Sequence, residues 1–211
     1  MPAPPIAELL DLAIRLVNAG QRERARIVCD QAVAGYPPHP AVHQLLAVLD
    51  LQAGHVGDAR RHAALSLKLR RDHVPTLIVA GEAAMAERDF EAASQVFERA
   101  VAVVPDHVDA WFKVSLVRQD LGDVDGAIAA LRRVLQLKPD RVDALVNLGI
   151  ALQERGRIDE AMAAYGRAYR LREETFGRIA HALATPGVGR LWLDLDDLRR
   201  ELQQAGRSLP A

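Results

Sequence analysis

The sequence predicts an all-α protein, a solenoid of stacked antiparallel helix pairs. Three observations predict this fold class. Residue types recur every 34 positions from Ile6 to Thr175, with no insertion or deletion. Each period contains two stretches with helical spacing, separated by a turn. Alanine, leucine, valine and arginine dominate while aromatic residues make up only 4%, which is mostly helix-forming material. A period of this length is typical of stacked repeats.

The period divides the chain into five blocks, each of which we predict to be one repeat: 6–39, 40–73, 74–107, 108–141 and 142–175. Position 20 of every block is alanine: Ala25, Ala59, Ala93, Ala127 and Ala161. Position 15 is glycine in four blocks and arginine in the third: Gly20, Gly54, Arg88, Gly122 and Gly156. Small residues at position 20 allow neighbouring helices to approach closely.

The fifth block shows how each helix begins and ends. Leu145, Leu148 and Leu152 recur along one face of the first helix. Gly156 suits the left-handed conformation that ends it. Asp159 lies in the first turn of the second helix, where the helix dipole favours negative charge. Acidic residues in blocks three and four are expected to do the same: Asp89, Glu91, Asp123 and Asp125. Proline at position 32 of three blocks is expected to stop the second helix: Pro37, Pro105 and Pro139.

Residues 176–211 lie outside the period. Phe176, Ile179, Ala180 and Leu183 predict one more helix, which would cap the fifth block because a terminal repeat has no neighbour. After the turn at 185–189, a terminal helix is expected to carry an apolar face: Leu191, Trp192, Leu195, Leu198 and Leu202. One interpretation is that this helix folds back as part of the cap. The alternative is that it enters a groove, its own or a sister molecule's, giving autoinhibition or dimerisation.

Charge and hydropathy exclude several classes of function. The formal net charge is -1 and the pI is about 6.7, so we expect no nucleic-acid partner. No segment has the apolar length needed to cross a bilayer, so no membrane insertion is expected. Glu8 and Asp11 interrupt the first apolar stretch, which indicates a helix and not a secretory signal. The expected location is therefore cytoplasmic.

Neither catalysis nor a cofactor is predicted. Cys29 is the only cysteine, which excludes an internal disulfide, and its column predicts a small buried hydrophobe. Histidines recur at position 34: His39, His73 and His107. Adjacent repeats pack about 8–10 Å apart, whereas metal–imidazole bonds are about 2 Å long, so these are expected to be turn residues and not metal ligands. No activated nucleophile or paired carboxylates stand out.

The columns also match a known repeat motif, with Trp, Leu, Gly and Tyr at positions 4, 7, 8 and 11, then Ala, Phe and Pro at 20, 24 and 32. The third block supplies Leu77, Gly81, Ala93, Phe97 and Pro105. The fourth and fifth supply Trp111, Ala127, Leu131, Pro139, Leu145, Leu148, Gly149, Ala161 and Tyr165. The chain therefore resembles the tetratricopeptide repeat family, which implies a right-handed superhelical solenoid. Departures occur at position 8 (Ala47 and Ser115) and position 11 (Asp50 and Arg118).

The resemblance also implies where a partner would bind, since in this family positions 2, 5, 9 and 12 of the first helices line a concave face. In blocks one to three these columns hold Leu10, Ile14, Val17, Gln44, Val48, Leu51, Ile78, Glu82 and Met85. In blocks four and five they hold Asp109, Phe112, Leu116, Gln119, Asp143, Val146, Ile150 and Gln153. One subset of the family binds a C-terminal carboxylate with Lys and Asn, and here only Lys113 and Asn147 match it, both at position 6.

Most residues at positions 5 and 9 are apolar, and a contiguous apolar patch marks a binding site. We therefore expect a groove that accepts an amphipathic helix or an extended apolar peptide of a partner protein. Acidic residues at its rim favour a partner with basic flanks: Asp109, Asp120, Asp143 and Glu154.

Three functions stay open. The first is a non-catalytic scaffold, adaptor or assembly factor. The second is an accessory or recognition subunit of an enzyme complex, such as a transferase or a biosynthetic machinery. The third is a homo-oligomeric structural protein that uses its C-terminal tail.

Overall fold

A computed structural model describes residues 5–184 and 195–206, which contain twelve α-helices and no strand. The first helices of the five blocks are α1 (Ile6–Asn18), α3 (Pro40–Gln52), α5 (Val74–Ala86), α7 (Val108–Asp120) and α9 (Val142–Glu154). The second helices are α2 (Arg22–Gly35), α4 (Val56–Leu69), α6 (Phe90–Val103), α8 (Val124–Leu137) and α10 (Ile158–Leu171). Two further helices follow, α11 (Phe176–Leu183) and α12 (Leu195–Gln204). The predicted all-α class is confirmed.

The helices form two compact units, Met1–Pro105 and Asp106–Ala211. Within each unit, the helices of a pair pack against each other, as α3 does with α4 and α9 with α10. Each second helix also packs against the first helix of the next block in the same unit, as α4 does with α5 and α8 with α9. The alanines at position 20 are all fully buried in these helix contacts, as their column predicts.

The turn inside each pair adopts one conformation throughout. Gly20, Gly54, Gly122 and Gly156 have positive φ, between 71° and 80°. Arg88, which replaces glycine in the third block, adopts the same left-handed conformation with φ 62°. A non-glycine residue is disfavoured there because its Cβ crowds the backbone. The period therefore conserves the turn geometry even where the residue type departs from it.

Two aspartates expected in the first turn of a helix are its N-cap instead. Asp89 and Asp123 are the N-cap residues of α6 and α8, where their carboxylates accept hydrogen bonds from the backbone N–H groups of Ala92 and Gly126. An N-cap side chain satisfies a backbone donor that the helix itself leaves without a partner, which is the physical reason for aspartate at this position.

The recurring histidines precede the first helices, and two of them cap a helix with their side chains. His39 precedes α3 and its Nδ1 accepts from Ala41 N, and His107 precedes α7 and its Nδ1 accepts from Ala110 N. His73 precedes α5, where its Nδ1 lies 2.8 Å from the side-chain Oγ1 of Thr76 and makes no bond to the helix backbone. The expectation of turn residues is confirmed, with capping as an added role of His39 and His107.

The second helices end at position 30 with or without a following proline. Pro37, Pro105 and Pro139 follow α2, α6 and α8 as predicted. However, α4 and α10 end at the same position, and Arg71 and Glu173 occupy their position 32. Proline is compatible with this helix end but does not determine it.

Packing between positions 8 and 24 explains one departure from the family motif. A Cβ built on Gly81 would lie 2.5 Å from Phe97 Cε1, and a Cβ on Gly149 would collide with the Tyr165 ring. Where position 24 is Ala63 or Leu131, position 8 carries a side chain. Glycine at position 8 is therefore required only opposite an aromatic ring.

Candidate functional site

In the first unit, the predicted contact residues lie on helices that pack side by side, because α3 contacts both α1 and α5. Ile14 is 44% exposed. The other eight are partly exposed: Leu10, Val17, Gln44, Val48, Leu51, Ile78, Glu82 and Met85. We call these nine residues the first-helix surface of unit one. Two of its residues, Val48 and Leu51, also contact the protein interior. They pack against a buried cluster of Ala47, Ala63 and Val79.

In the second unit, the corresponding surface lies on α7 and α9. Asp109 is exposed, and six others are partly exposed: Phe112, Leu116, Gln119, Asp143, Asn147 and Ile150. These seven residues form the first-helix surface of unit two.

Two residues predicted for this surface are core residues instead. Val146 is fully buried, and Gln153 is 5% exposed. Val146 belongs to the same hydrophobic cluster as Ile179 and Leu183 of α11, which packs against α9. Gln153 donates from Nε2 to the carbonyl oxygen of Ala182 at 2.7 Å. Neither residue is available to a partner, so the expectation for both is wrong.

Gln153 also fixes the aromatic residue of its own repeat. The Tyr165 hydroxyl donates to Gln153 Oε1 at 3.1 Å, and burial raises the pKa of Tyr165. The amide therefore connects α9, α10 and the end of α11 through buried hydrogen bonds. Both polar groups of the buried Gln153 amide therefore have a hydrogen-bond partner, which holds the end of α11 in place.

Arg141 dominates the electrostatics of the second surface. Its guanidinium lies 4.3 Å from the centroid of the Phe112 ring, bonds Asp109 through Nη1 at 2.6 Å and bonds Asp143 through Nε at 2.9 Å. Burial lowers the pKa of Arg141, but its hydrogen bonds to Asp143 and Asp109 more than offset this, so the net shift is upward. The negative rim predicted here is therefore partly neutralised within the chain.

The described part of the tail forms a cap on α10. Leu198 and Leu202 of α12 are buried and α12 packs against α10, whereas Leu195 is 52% exposed. In this arrangement Leu198 and Leu202 pack as the cap interpretation expects, on the second helix α10 and not on the first helices of their own chain. Leu191 and Trp192 lie outside the described residues.

Two residues of α10 explain why α12 packs there. A Cβ on Gly166 would lie 2.6 Å from the carbonyl oxygen of Leu202. Arg170 Nη1 donates to the carbonyl oxygens of Leu202, Gln203 and Ala205 at the end of α12. These carbonyls have no partner within the helix, and a cation at a helix C-terminus is also favoured by the helix dipole. Gly166 could have been noticed in the sequence, because other blocks carry Asp30, Glu98 or Arg132 in its column.

A buried polar cluster in the first unit was not predicted. Asp50, which replaces the motif tyrosine at position 11, is 1% exposed and forms an ion pair with Arg26. His43 and His62 stack with ring centroids 5.4 Å apart and Nδ1 atoms 3.2 Å apart. His43 also lines a cavity of about 270 Å³ beside Tyr36 and Leu65. The only feature of the sequence that could have indicated this cluster is Asp50, a charged residue at the position where the motif has tyrosine.

Residues 5–184 and 195–206 contain no group of three or more His, Cys, Asp or Glu side chains placed to hold a metal ion. Cys29 is 1% exposed, and burial raises the pKa of its thiol to about 11. This confirms the predicted small buried hydrophobe. In this same part of the chain, no helix is both long and apolar enough to span a membrane.

Comparison with known proteins agrees with this geometry. Two tetratricopeptide repeat models match residues 80–146 and 119–183. MamA residues 41 to the end, from Desulfovibrio magneticus RS-1, share the fold with a TM-score of 0.73 at 17% identity, over 80% of this chain and 95% of that one. A thermophilic TPR protein of Thermus thermophilus gives a TM-score of 0.65 at 26% identity, over 85% of this chain and 99% of that one. YrrB, a TPR protein, gives 0.68 at 16% identity, over 79% and 86%.

One curated relative also matches. The probable biofilm formation methyltransferase WspC of Pseudomonas putida KT2440 is 33% identical over 94 residues. The match covers 44% of this chain and 22% of that protein. Together with the 34-residue column pattern, the two matching models show that residues 80–183 belong to the tetratricopeptide repeat family.

Proposed function

We propose that this chain is a non-catalytic scaffold or adaptor that binds an apolar helix or peptide of a partner protein. The observation that carries the proposal is the row of partly exposed apolar side chains at positions 5, 9 and 12 of the first helices. In unit one this row includes Ile14, Val48 and Ile78. The fold is that of a protein–protein interaction scaffold.

Two further points support a peptide-like occupant. The surface of unit one lies on helices that pack side by side, α3 against both α1 and α5, so apolar side chains of a partner helix can insert between them at intervals of three and four residues. YrrB, which shares the fold, is described as a TPR protein with an unusual peptide-binding site. Val48 and Leu51 of the row also pack against the buried cluster of Ala47, Ala63 and Val79, whereas Ile14 is 44% exposed and leaves apolar surface that a partner could cover.

Charge reversal on this row tests the proposal. Ile14→Asp changes a residue that is 44% exposed, so the fold should survive and any protein captured by the wild-type chain should be lost. Leu116→Arg tests the second unit in the same way. It is a cleaner change than Phe112→Asp, which would place a carboxylate against the stacked Arg141 guanidinium.

Ile27→Asp is the matched control, since Ile27 is 58% exposed but lies on the second helix α2. Affinity purification with quantitative mass spectrometry should recover a partner with the wild type and with Ile27→Asp, and lose it with Ile14→Asp or Leu116→Arg. Equal recovery with all four proteins would refute binding at the first-helix surfaces.

The likeness to WspC favours a second candidate function, an accessory or recognition module of an enzyme system. The shared 94 residues are a minor part of a protein described as a methyltransferase, so the repeats there accompany a larger chain. By this proposal, the present chain would hold a catalytic protein or its substrate and supply no reacting group. Co-purification of a catalytic chain, lost on Ile14→Asp, would support this candidate over a general adaptor.

A further inference from the structure

The polar cluster of Arg26, Asp50, His43 and His62, in which Asp50 and His43 are buried and the other two partly exposed, connects three helices of the first unit. Arg26 lies on α2, Asp50 and His43 on α3, and His62 on α4. Asp50 Oδ1 takes the ion pair with Arg26, whereas Asp50 Oδ2 is buried and has no hydrogen-bond partner among the described residues. The imidazole of His62 lies near this oxygen, with Nε2 at 3.9 Å from Oδ2.

These contacts define one arrangement of protons at neutral pH. Two Nδ1 atoms 3.2 Å apart require one donor and one acceptor. If His62 accepts through Nδ1, its proton lies on Nε2 and points toward Asp50 Oδ2. His43 then donates from Nδ1 to His62. This tautomer pair is the one that gives the unpartnered carboxylate oxygen a facing N–H.

We propose that the His43–His62 pair is a pH-sensitive latch on the second repeat, which holds α3 against α4 at neutral pH and releases them when both imidazoles are protonated. A single added proton is tolerated, because an imidazolium can donate to a neutral imidazole. Two added protons place two N–H donors face to face at 3.2 Å, with no acceptor between them. Release therefore requires both.

The charges around the pair come from every helix packed on it. Arg26 faces it from α2, Asp50 from α3, and Asp58 and Arg61 from α4. Helix α1 carries three charged residues, all of them exposed: Glu8, Asp11 and Arg15. The only charged residue of α5 is Glu82. Burial lowers the pKa of His62, and Arg61, His43 and Arg26 lower it further, against a smaller opposing effect of Asp58. Burial also lowers the pKa of His43.

The sign of the pH effect follows from these directions. Both imidazoles have a folded-state pKa below the ordinary value of 6.5, so the open state binds more protons than the closed state as pH falls below 6.5. The stability that the pair contributes is fully present above pH 6.5 and is lost on acidification. Protons can reach His43 through the cavity that it lines.

Opening of the latch would also change the first-helix surface of unit one, because α3 carries Gln44, Val48 and Leu51. This consequence rests on the proposed function, but the latch itself does not. A stability measurement without any partner therefore separates failure of the latch from failure of the binding proposal.

Hydrogen exchange measured by mass spectrometry between pH 7.5 and 5 tests the latch on the full chain. After correction for intrinsic exchange, opening of α3 and α4 should rise below pH 6.5, approaching about tenfold per pH unit, because the opened state takes up the second proton that the closed pair excludes. His62→Gln can still donate to Asp50 and accept from His43 but does not titrate, so only His43 can take up a proton and opening should depend on pH more weakly than in the wild type. His55→Gln, at an exposed position before α4, should behave as the wild type.

Equal pH dependence in the wild type and in His62→Gln would overturn the proposal, as would opening of the wild type that does not rise on acidification. If His62→Gln does not fold at pH 7.5, an NMR titration of the wild-type imidazoles decides. Opening of α3 and α4 must then follow protonation of His43 and His62. Protonation of both without loss of amide protection in these helices would equally refute the latch.

Discussion

Replacing Gly81 by alanine tests the pairing of small and aromatic residues inside a repeat. Gly81 lies in the middle of α5, and Phe97 on α6 is fully buried against it. An added Cβ would lie 2.5 Å from Phe97 Cε1, 2.6 Å from Cζ and 2.9 Å from Cδ1. Carbon atoms in contact are normally about 3.5–4.0 Å apart, so the ring must move by about 1 Å within a closed core.

The magnitude is a difference between two opposing effects. Alanine is favoured over glycine by about 0.8–1.0 kcal/mol in a helix interior. Overpacking a filled core is unfavourable by about 1–3 kcal/mol. Because three ring atoms are approached and Phe97 has no exposed surface to move into, we take the upper part of that range. Gly81→Ala should lower the free energy of unfolding by about 1–2 kcal/mol.

The assay is urea unfolding monitored by far-UV circular dichroism, with hydrogen exchange to locate the effect. Repeat arrays often unfold in more than one step, so the exchange data must show the loss in α5 and α6. Phe97→Leu removes the ring, and in that background Gly81→Ala should become neutral or stabilising. The coupling energy between the two substitutions should therefore be about 2–3 kcal/mol.

Gly57→Ala is the matched control, since a Cβ at this helical glycine meets nothing within 4 Å. It should stabilise by up to about 1 kcal/mol. A stabilising Gly81→Ala, or the same effect of this substitution with Phe97 and with leucine, would show that the pairing does not explain glycine at position 8.

Three further outcomes are expected. Arg88→Gly should raise the free energy of unfolding by about 1 kcal/mol in urea melts, since Arg88 has φ 62°, and a destabilised variant would contradict this. Tyr165→Phe should lower it by about 1–2 kcal/mol because Gln153 Oε1 loses its buried donor, and an unchanged urea midpoint would refute that role. The thiol of Cys29, with a pKa of about 11, should not react with a disulfide reagent at pH 8 until the protein is unfolded, so stoichiometric labelling of the folded chain would disprove its burial.

Much of the fold could be predicted because each of the five repeats must form the same turn and the same helix contacts, so the same residue types recur. Glycine at position 15 indicates the left-handed turn, and alanine at position 20 indicates close helix contact. The single exception, Arg88, adopts the same left-handed conformation as the glycines in its column. The tail differed, since no second copy of α12 exists from which its packing could be inferred.

The candidate site was predicted less well, because a column states which face a residue lies on and not what covers that face. Val146 shares its column with the partly exposed Leu10, Gln44, Ile78 and Phe112, yet it is buried where α11 packs on α9. The predicted acidic rim took account of the acidic residues alone. In the structure, Arg141 forms ion pairs with Asp109 and Asp143 of two repeats and neutralises part of that negative charge.

The sequence by itself determined the helix pairs, their period, their turns and the apolar row on the first helices, because these depend on local conformation and on periodicity. Only the tertiary structure decided which aromatic ring requires a glycine, where α12 packs, and how Arg26, Asp50, His43 and His62 meet. Those contacts join residues 12 to 24 positions apart in the polar cluster and about 30 positions apart at the cap. The separation of two residues in the sequence does not predict such a contact, because the contact depends on how the helices pack.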